Sequence, residues 1–102
     1  MVKSATKETR GPKTSKQMER HFKGLANHWR IEILLLVGEH EGLALEEIAT
    51  HLDGNFKTIS EHTRRLVQAG LLIKAYRGRN VIHTLSPYGR RFLSFVTTFQ
   101  HS

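Results

Sequence analysis

The chain contains no cysteine. That absence removes disulfides, thiolate nucleophiles, thiol redox sensing and every sulfur-ligated metal site. It also lacks a membrane-length apolar run: the longest stretch, residues 33–37, falls far short of the roughly 18–20 residues a bilayer crossing needs. The opening MVKSATKETRGPKTSK has no apolar block behind its lysines and does not read as a secretory signal, so a cytoplasmic location is expected. No glycine-rich phosphate loop is present, and no nucleophile stands with a base at plausible spacing. The acids Glu39, Glu41, Glu46 and Glu47 read as exposed surface. An enzyme needs converging acid, base or nucleophile in a pocket, so none is expected.

What the chain has is positive charge, unevenly placed. Its 102 residues carry a net +7 with 38% apolar side chains, a composition that fits one compact domain. Residues 1–16 hold Lys3, Lys7, Arg10, Lys13 and Lys16 against Glu8. Residues 55–79 hold Lys57, Arg64, Arg65, Lys74, Arg77 and Arg79 against Glu61 alone, whereas residues 31–54 have six acids and no lysine or arginine. Charge that served only solubility would mix its signs. Clusters of one sign are the footprint of a phosphate backbone as partner.

The first dozen residues mix Lys, Ser, Thr, Gly and Pro without apolar periodicity, and residues 1–14 read as a flexible basic arm. Thr14 and Gln17 form a capping-box pattern ahead of a helix bearing Met18, Phe22 and Leu25. Asn27 caps a second helix that is apolar on nearly every side and is expected at the centre of the core. Gly38 and Gly42 bracket a polar turn, and LEEIATHL (45–52) places Leu45, Ile48, Ala49 and Leu52 on one helical stripe. Asp53-Gly54 breaks that helix, Asn55 caps the next, and Gly70 ends it. Two helices about four residues apart across a glycine have the spacing of a helix-turn-helix. LLIKAY (71–76) and NVIHTL (80–85) flank Arg77-Gly78-Arg79 as a two-stranded hairpin, and Ser86-Pro87 opens a last helix carrying Phe92, Phe95, Val96 and Phe99. The expected fold is therefore mainly α with a small β-hairpin: about five helices and a two-stranded wing, over residues 15–102.

That order is the winged helix-turn-helix. LANHWRIEILLLV (25–37) is similar to the opening core helix of the arsenical-resistance-repressor (ArsR-type) family. TISEHTRRLVQAGLL (58–72) resembles its recognition helix and wing entry, with Thr58, Ile59, Ser60, His62, Leu66, Ala69, Gly70 and Leu71 in register. Thr63 departs from the pattern, where the family usually has leucine, so looser packing is expected there. The resemblance spans residues 18–100 and implies a double-stranded DNA-binding transcriptional regulator, a repressor, that acts as a homodimer.

Helical geometry assigns the contacts. Ile59, Thr63, Leu66 and Val67 face inward, leaving Phe56, Lys57, Ser60, Glu61 and Arg64 outward, with Asn55 and Thr58 near the phosphates. Lys57 and Arg64 suit guanine or phosphate, Ser60 several bases, Glu61 cytosine and Phe56 a thymine methyl. Arg77, Gly78 and Arg79 form a second contact at the adjacent minor groove. One such head makes too few contacts for specificity, so two-fold pairing is expected through Met18, Phe22, Phe92, Phe95, Val96 and Phe99. Seven histidines invite a metal. The family's cysteine pair is absent, however, and the last helix lacks its Asp/His set; no metal or other cofactor is expected, no effector is evident, and a switch by a small molecule, a partner or nothing stays open. His62 reads as a packing or hydrogen-bonding residue, and His40, His51 and His83 as scattered polar positions. The competing reading is a winged-helix module that binds protein without specific DNA readout.

Overall fold

The computed structural model describes residues 11–102; Lys3, Lys7 and Arg10 of the expected arm lie outside the described residues. Five helices are interleaved with three strands: α1 (Ser15–Leu25), α2 (His28–Glu39), β1 (Leu43–Ala44), α3 (Leu45–Leu52), α4 (Phe56–Gln68), β2 (Leu72–Arg77), β3 (Asn80–Leu85) and α5 (Pro87–Gln100). Among the described residues no helix is long and apolar enough to cross a membrane.

Polar side chains at the helix starts explain where the helices begin, because the first amides of a helix have no carbonyl behind them. Thr14 Oγ1 accepts from the Gln17 amide at 3.1 Å while the Gln17 side chain accepts from the Thr14 amide at 2.8 Å. Asn27 Oδ1 accepts from Trp29 and Arg30, Asn55 Oδ1 from Thr58, and Ser86 Oγ from Gly89. Ala44 has no acceptor to offer α3, and there only the Glu47 carboxylate reaches back, to the Ala44 amide at 2.8 Å.

The core gathers on α2, whose Ile33, Leu34 and Val37 are fully buried together with Ile48, Ile59, Leu66 and Leu71. Trp29, Ile31 and Leu36 pack around them, so the all-round apolarity of α2 is used as expected. Two local features differ from the sequence expectation, and a third, the break at Asp53-Gly54, is as expected but resolved further. Gly38 lies inside α2, where a β-carbon would meet the Leu93 side chain at 2.5 Å, so it admits α5 and does not open a turn. Asp53, not Gly54, takes the left-handed conformation that ends α3 (φ 51°), and Gly54 instead lets Ile59 and Trp29 approach. The hairpin gains a third strand: β1 pairs antiparallel with β3, Leu43 opposite His83 and Ala44 opposite Ile82, giving the order β1-β3-β2.

Glu41 and Glu47 lie on exposed surface as expected, and both also hold structure. Glu47 caps α3, while the Glu41 carboxylate pairs with Arg90 on α5 and accepts from the Leu85 amide at the end of β3.

Candidate nucleic-acid interface

Asp53, Gly54 and Asn55 separate α3 from α4, so α4 is held across α3 by a three-residue turn. Its inner face is the expected one: Ile59 and Leu66 are fully buried, Thr63 is 2% exposed and Val67 is half-buried. The Thr63 hydroxyl is buried without a hydrogen-bond partner among the described residues. Beside it, the Arg30 guanidinium of α2 donates through Nη1 to His62 Nδ1 at 3.0 Å. Burial, and then the Arg30 charge, hold the His62 pKa below the usual histidine range, as suits a ring that accepts from a cation. His62 is thus the hydrogen-bonding residue expected, with a partner 32 positions away that no local pattern could indicate.

Outward, α4 presents Lys57 and Arg64 exposed and Thr58, Ser60 and Glu61 partly so, lining one open groove together with His62. Phe56 stands half-exposed at its start, and Asn55 is committed through Oδ1 to the cap. Glu61 adds a feature that composition hides. Its carboxylate accepts from Arg64 Nη2 at 2.6 Å and from Arg65 Nε at 3.0 Å, and these hydrogen bonds hold its pKa below the usual carboxylate range. Arg65, outside the expected contact set, is thereby brought to the same face.

In the wing, β2 and β3 pair from Leu72 opposite Leu85 to Arg77 opposite Asn80, leaving Gly78 and Arg79 as a two-residue turn. Gly78 has φ 64° at the first central position, which in a tight hairpin turn of this kind calls for glycine. The two arginines are not equivalent. Arg79 sits on the tip, whereas the Arg77 guanidinium reaches back over Gly42, 3.5 Å from where a β-carbon would stand. Tyr76, 80% exposed opposite Val81, is the wing residue that sequence reasoning passed over. Its alternation places it with buried Leu72, and only the third dimension reveals that the core ends before reaching it.

His83 corrects another expectation. It is a buried residue whose Nδ1–H donates to the Leu43 carbonyl at 3.1 Å, fastening β1 to β3; burial pushes its pKa down. Among the described residues no group of three or more His, Asp or Glu side chains is placed to hold a metal ion.

The apolar set on α1 and α5 divides in two. Phe92 and Val96 are half-buried against the core, with the Phe92 ring edge-on to Phe22 at 5.0 Å. Met18, Phe22, Phe95 and Phe99 remain exposed, Phe95 and Phe99 at 60% and 67% with their rings stacked. Together with Ile31 and Leu35 of α2, Phe22, Phe95, Val96 and Phe99 line a groove with almost no polar surface.

Residues 28–74, from the start of α2 into β2, match the bacterial regulatory proteins of the arsR family. The arsenical resistance operon repressor of Escherichia coli (strain K12) is 37% identical over 67 residues, 66% of this chain. The match spans 57% of that relative's length. Among solved structures, the homodimeric winged helix-turn-helix DNA-binding domain Mb0332 from Mycobacterium bovis superposes with a TM-score of 0.75 at 28% identity, covering 84% of this chain and 80% of its own. HlyU from Vibrio cholerae N16961 gives 0.76 at 21% identity over 86% and 96%, a likeness of fold. The matched family consists of regulatory proteins, not enzymes. The matched segment coincides with the core helix, the helix pair and the wing entry found here, and over that segment the chain is similar to the arsR family, with the fold of a winged helix-turn-helix protein.

Proposed function

We propose that this protein binds double-stranded DNA as a homodimer, reads an operator with α4, and represses transcription by occupying it. The observation that carries this reading is the free face of α4: Lys57, Ser60, Glu61 and Arg64 serve no core contact and line one open groove, and an exposed, arginine-tipped hairpin follows α4 in the chain. A major groove admits one helix, and the side chains of such a helix reach base edges when a second helix holds it across the backbone. In that pose Lys57 and Arg64 meet guanine or phosphate, Ser60 and Glu61 offer base contacts, and Phe56 reaches a thymine methyl. Asn55 and Thr58 stand near the backbone at the start of α4. Before docking, Glu61 holds Arg64 and Arg65 in place; a guanine or phosphate then competes for a guanidinium already aimed outward. Arg79 and Gly78 at the tip, with Arg77 behind, contact the flanking minor groove.

Two-fold pairing follows from the apolar groove, because Phe22, Phe95 and Phe99 are too exposed to be left in water at no cost. Met18 extends that surface, Phe92 and Val96 form its floor, and a second copy supplies the complementary rings in an isologous contact. The names borne by the Escherichia coli relative and the Mycobacterium bovis domain support repression and dimeric DNA binding. The setting is the cytoplasm, on the bacterial nucleoid.

Duplex affinity measured against salt tests this reading. If the dimer contacts about 6–10 phosphates, affinity falls by roughly 10³–10⁵ between about 50 and 200 mM salt. A flat response would instead favour a protein partner for the same surface.

A further inference from the structure

We infer that Arg20 and His21 are positioning residues that fix the reading helix to the dimer helices, so that they set which half-site spacing the dimer accepts; this rests on the DNA-binding reading above. The inference starts from the carbonyls at the exit of α4. That helix ends in a turn in which the Leu71 amide donates to the Leu66 carbonyl and the Gly70 amide to the Val67 carbonyl, both at 3.0 Å, with Gly70 at φ 76°. The turn leaves the Gln68 and Ala69 carbonyls without a helical partner.

Both are met from α1. Arg20 Nη2 donates to the Gln68 carbonyl at 2.7 Å, and His21 Nδ1–H donates to the Ala69 carbonyl at 2.7 Å from a buried ring packed on Tyr88. The next two carbonyls are met from the start of α5: Ser86 Oγ donates to Gly70 at 2.6 Å and the Ser86 amide to Leu71 at 3.1 Å. Four successive carbonyls are therefore held by the two helices that carry Phe22, Phe95 and Phe99. Backbone contact leaves no slack at this junction. A β-carbon on Gly24 would lie 2.1 Å from that of Ala69, and one on Gly89 would lie 2.0 Å from the Leu71 carbonyl oxygen. The negative end of the helix dipole adds attraction for the Arg20 guanidinium. A tilt of α1 in the dimer is thus passed straight to α4, while the Arg30–His62 bond steadies the middle of that helix.

If Arg20 and His21 served only to hold the fold, removing their bonds would lower stability and leave spacing preference alone. The test uses the full chain as wild type, Arg20→Met, His21→Phe and His21→Asn; the last keeps a donor near the Nδ1 position. A half-site is first selected from a random duplex pool with the wild type. Each protein is then titrated against that single half-site and against paired half-sites whose centre separation is stepped around about 10–10.5 base pairs. Dimer mass is followed by light scattering.

The expected result is that Arg20→Met and His21→Phe stay dimeric and keep their affinity for the single half-site. Their preference for the best spacing over its neighbours falls by about tenfold, a loss of about 1.4 kcal/mol, and His21→Asn restores it. A spacing profile identical to wild type in both variants, with wild-type binding intact, overturns this inference alone. A wild type that binds no duplex overturns the DNA-binding reading with it. Should His21→Phe not fold, Arg20→Met decides the matter, since Arg20 lies on the surface.

Discussion

Helices α4 and α5 are nearly equal in length, 13 and 14 residues, and each lays one stripe on the same core. Their free faces are opposites. That of α4 carries Lys57, Ser60, Glu61 and Arg64, with Glu61 already paired to Arg64 and Arg65. That of α5 carries the stacked rings of Phe95 and Phe99. The polar face is at ease in water and gains further only from a strongly charged partner; the ring-bearing face is costly in water and gains from any apolar cover. No single partner satisfies both. In the proposed function the polar face is a reading head and the ring-bearing face a pairing surface, and the two should be separable by mutation.

The sharpest break in that contrast comes from placing charge on the apolar side. Phe95→Glu is expected to give monomers by light scattering, with affinity for a paired site falling by about 10²–10⁴-fold as the linked second contact is lost. A variant that remains dimeric would remove α5 from the interface. On the polar side the effects are smaller and differ in kind. Arg64→Ala is expected to weaken binding by about 1–3 kcal/mol and to relax sequence preference at one position. Arg65 still holds Glu61 in that variant, so α4 itself is undisturbed and the loss reports on DNA. Equal weakening on every sequence would reassign Arg64 to the backbone. Arg79→Ala, at the wing tip, is expected to weaken all sequences alike and to lower the salt slope by about one; a change in sequence preference would make the wing a reader.

Much of this division was legible in the sequence because it is local. Thr14, Asn27, Asn55 and Ser86 cap the helices their positions announce, and Ile59, Thr63 and Leu66 recur at the helical period that buries them. What escaped is set by contacts between distant segments. β1 has two residues, too few to show alternation, and exists because β3 lies beside it. Gly38 reads as a turn residue until Leu93 is found against it. Periodicity drew Phe92, Phe95, Val96 and Phe99 as one stripe but could not tell where the core stops along it. The bonds of Arg20 and His21 to the end of α4 span 48 positions. The outward set on α4 was foreseen as a set of separate contacts, and the pairing of Glu61 with two arginines emerged only once their rotamers were known.

One residue on the inner face of α4 keeps the contrast with α5 from being complete. Thr63 is buried where the resembled pattern has leucine, and its hydroxyl has no partner among the described residues. A buried hydroxyl left unbonded costs about 1–3 kcal/mol, whereas valine keeps the branched shape without the polar atom. Thr63→Val is therefore expected to stabilise the fold by about 1 kcal/mol, which for a domain this small raises the thermal midpoint by about 4–8 °C. Duplex affinity should not change, because the substitution lies on the side of α4 turned away from the groove. Leucine is a harsher probe, since the added bulk must be fitted beside Ile59 and Leu66, and overpacking typically costs about 1–3 kcal/mol. A lower midpoint for Thr63→Val would mean that the hydroxyl is bonded in solution. The inner face of α4 would then depend on a polar contact that the core-facing stripe of α5 does without.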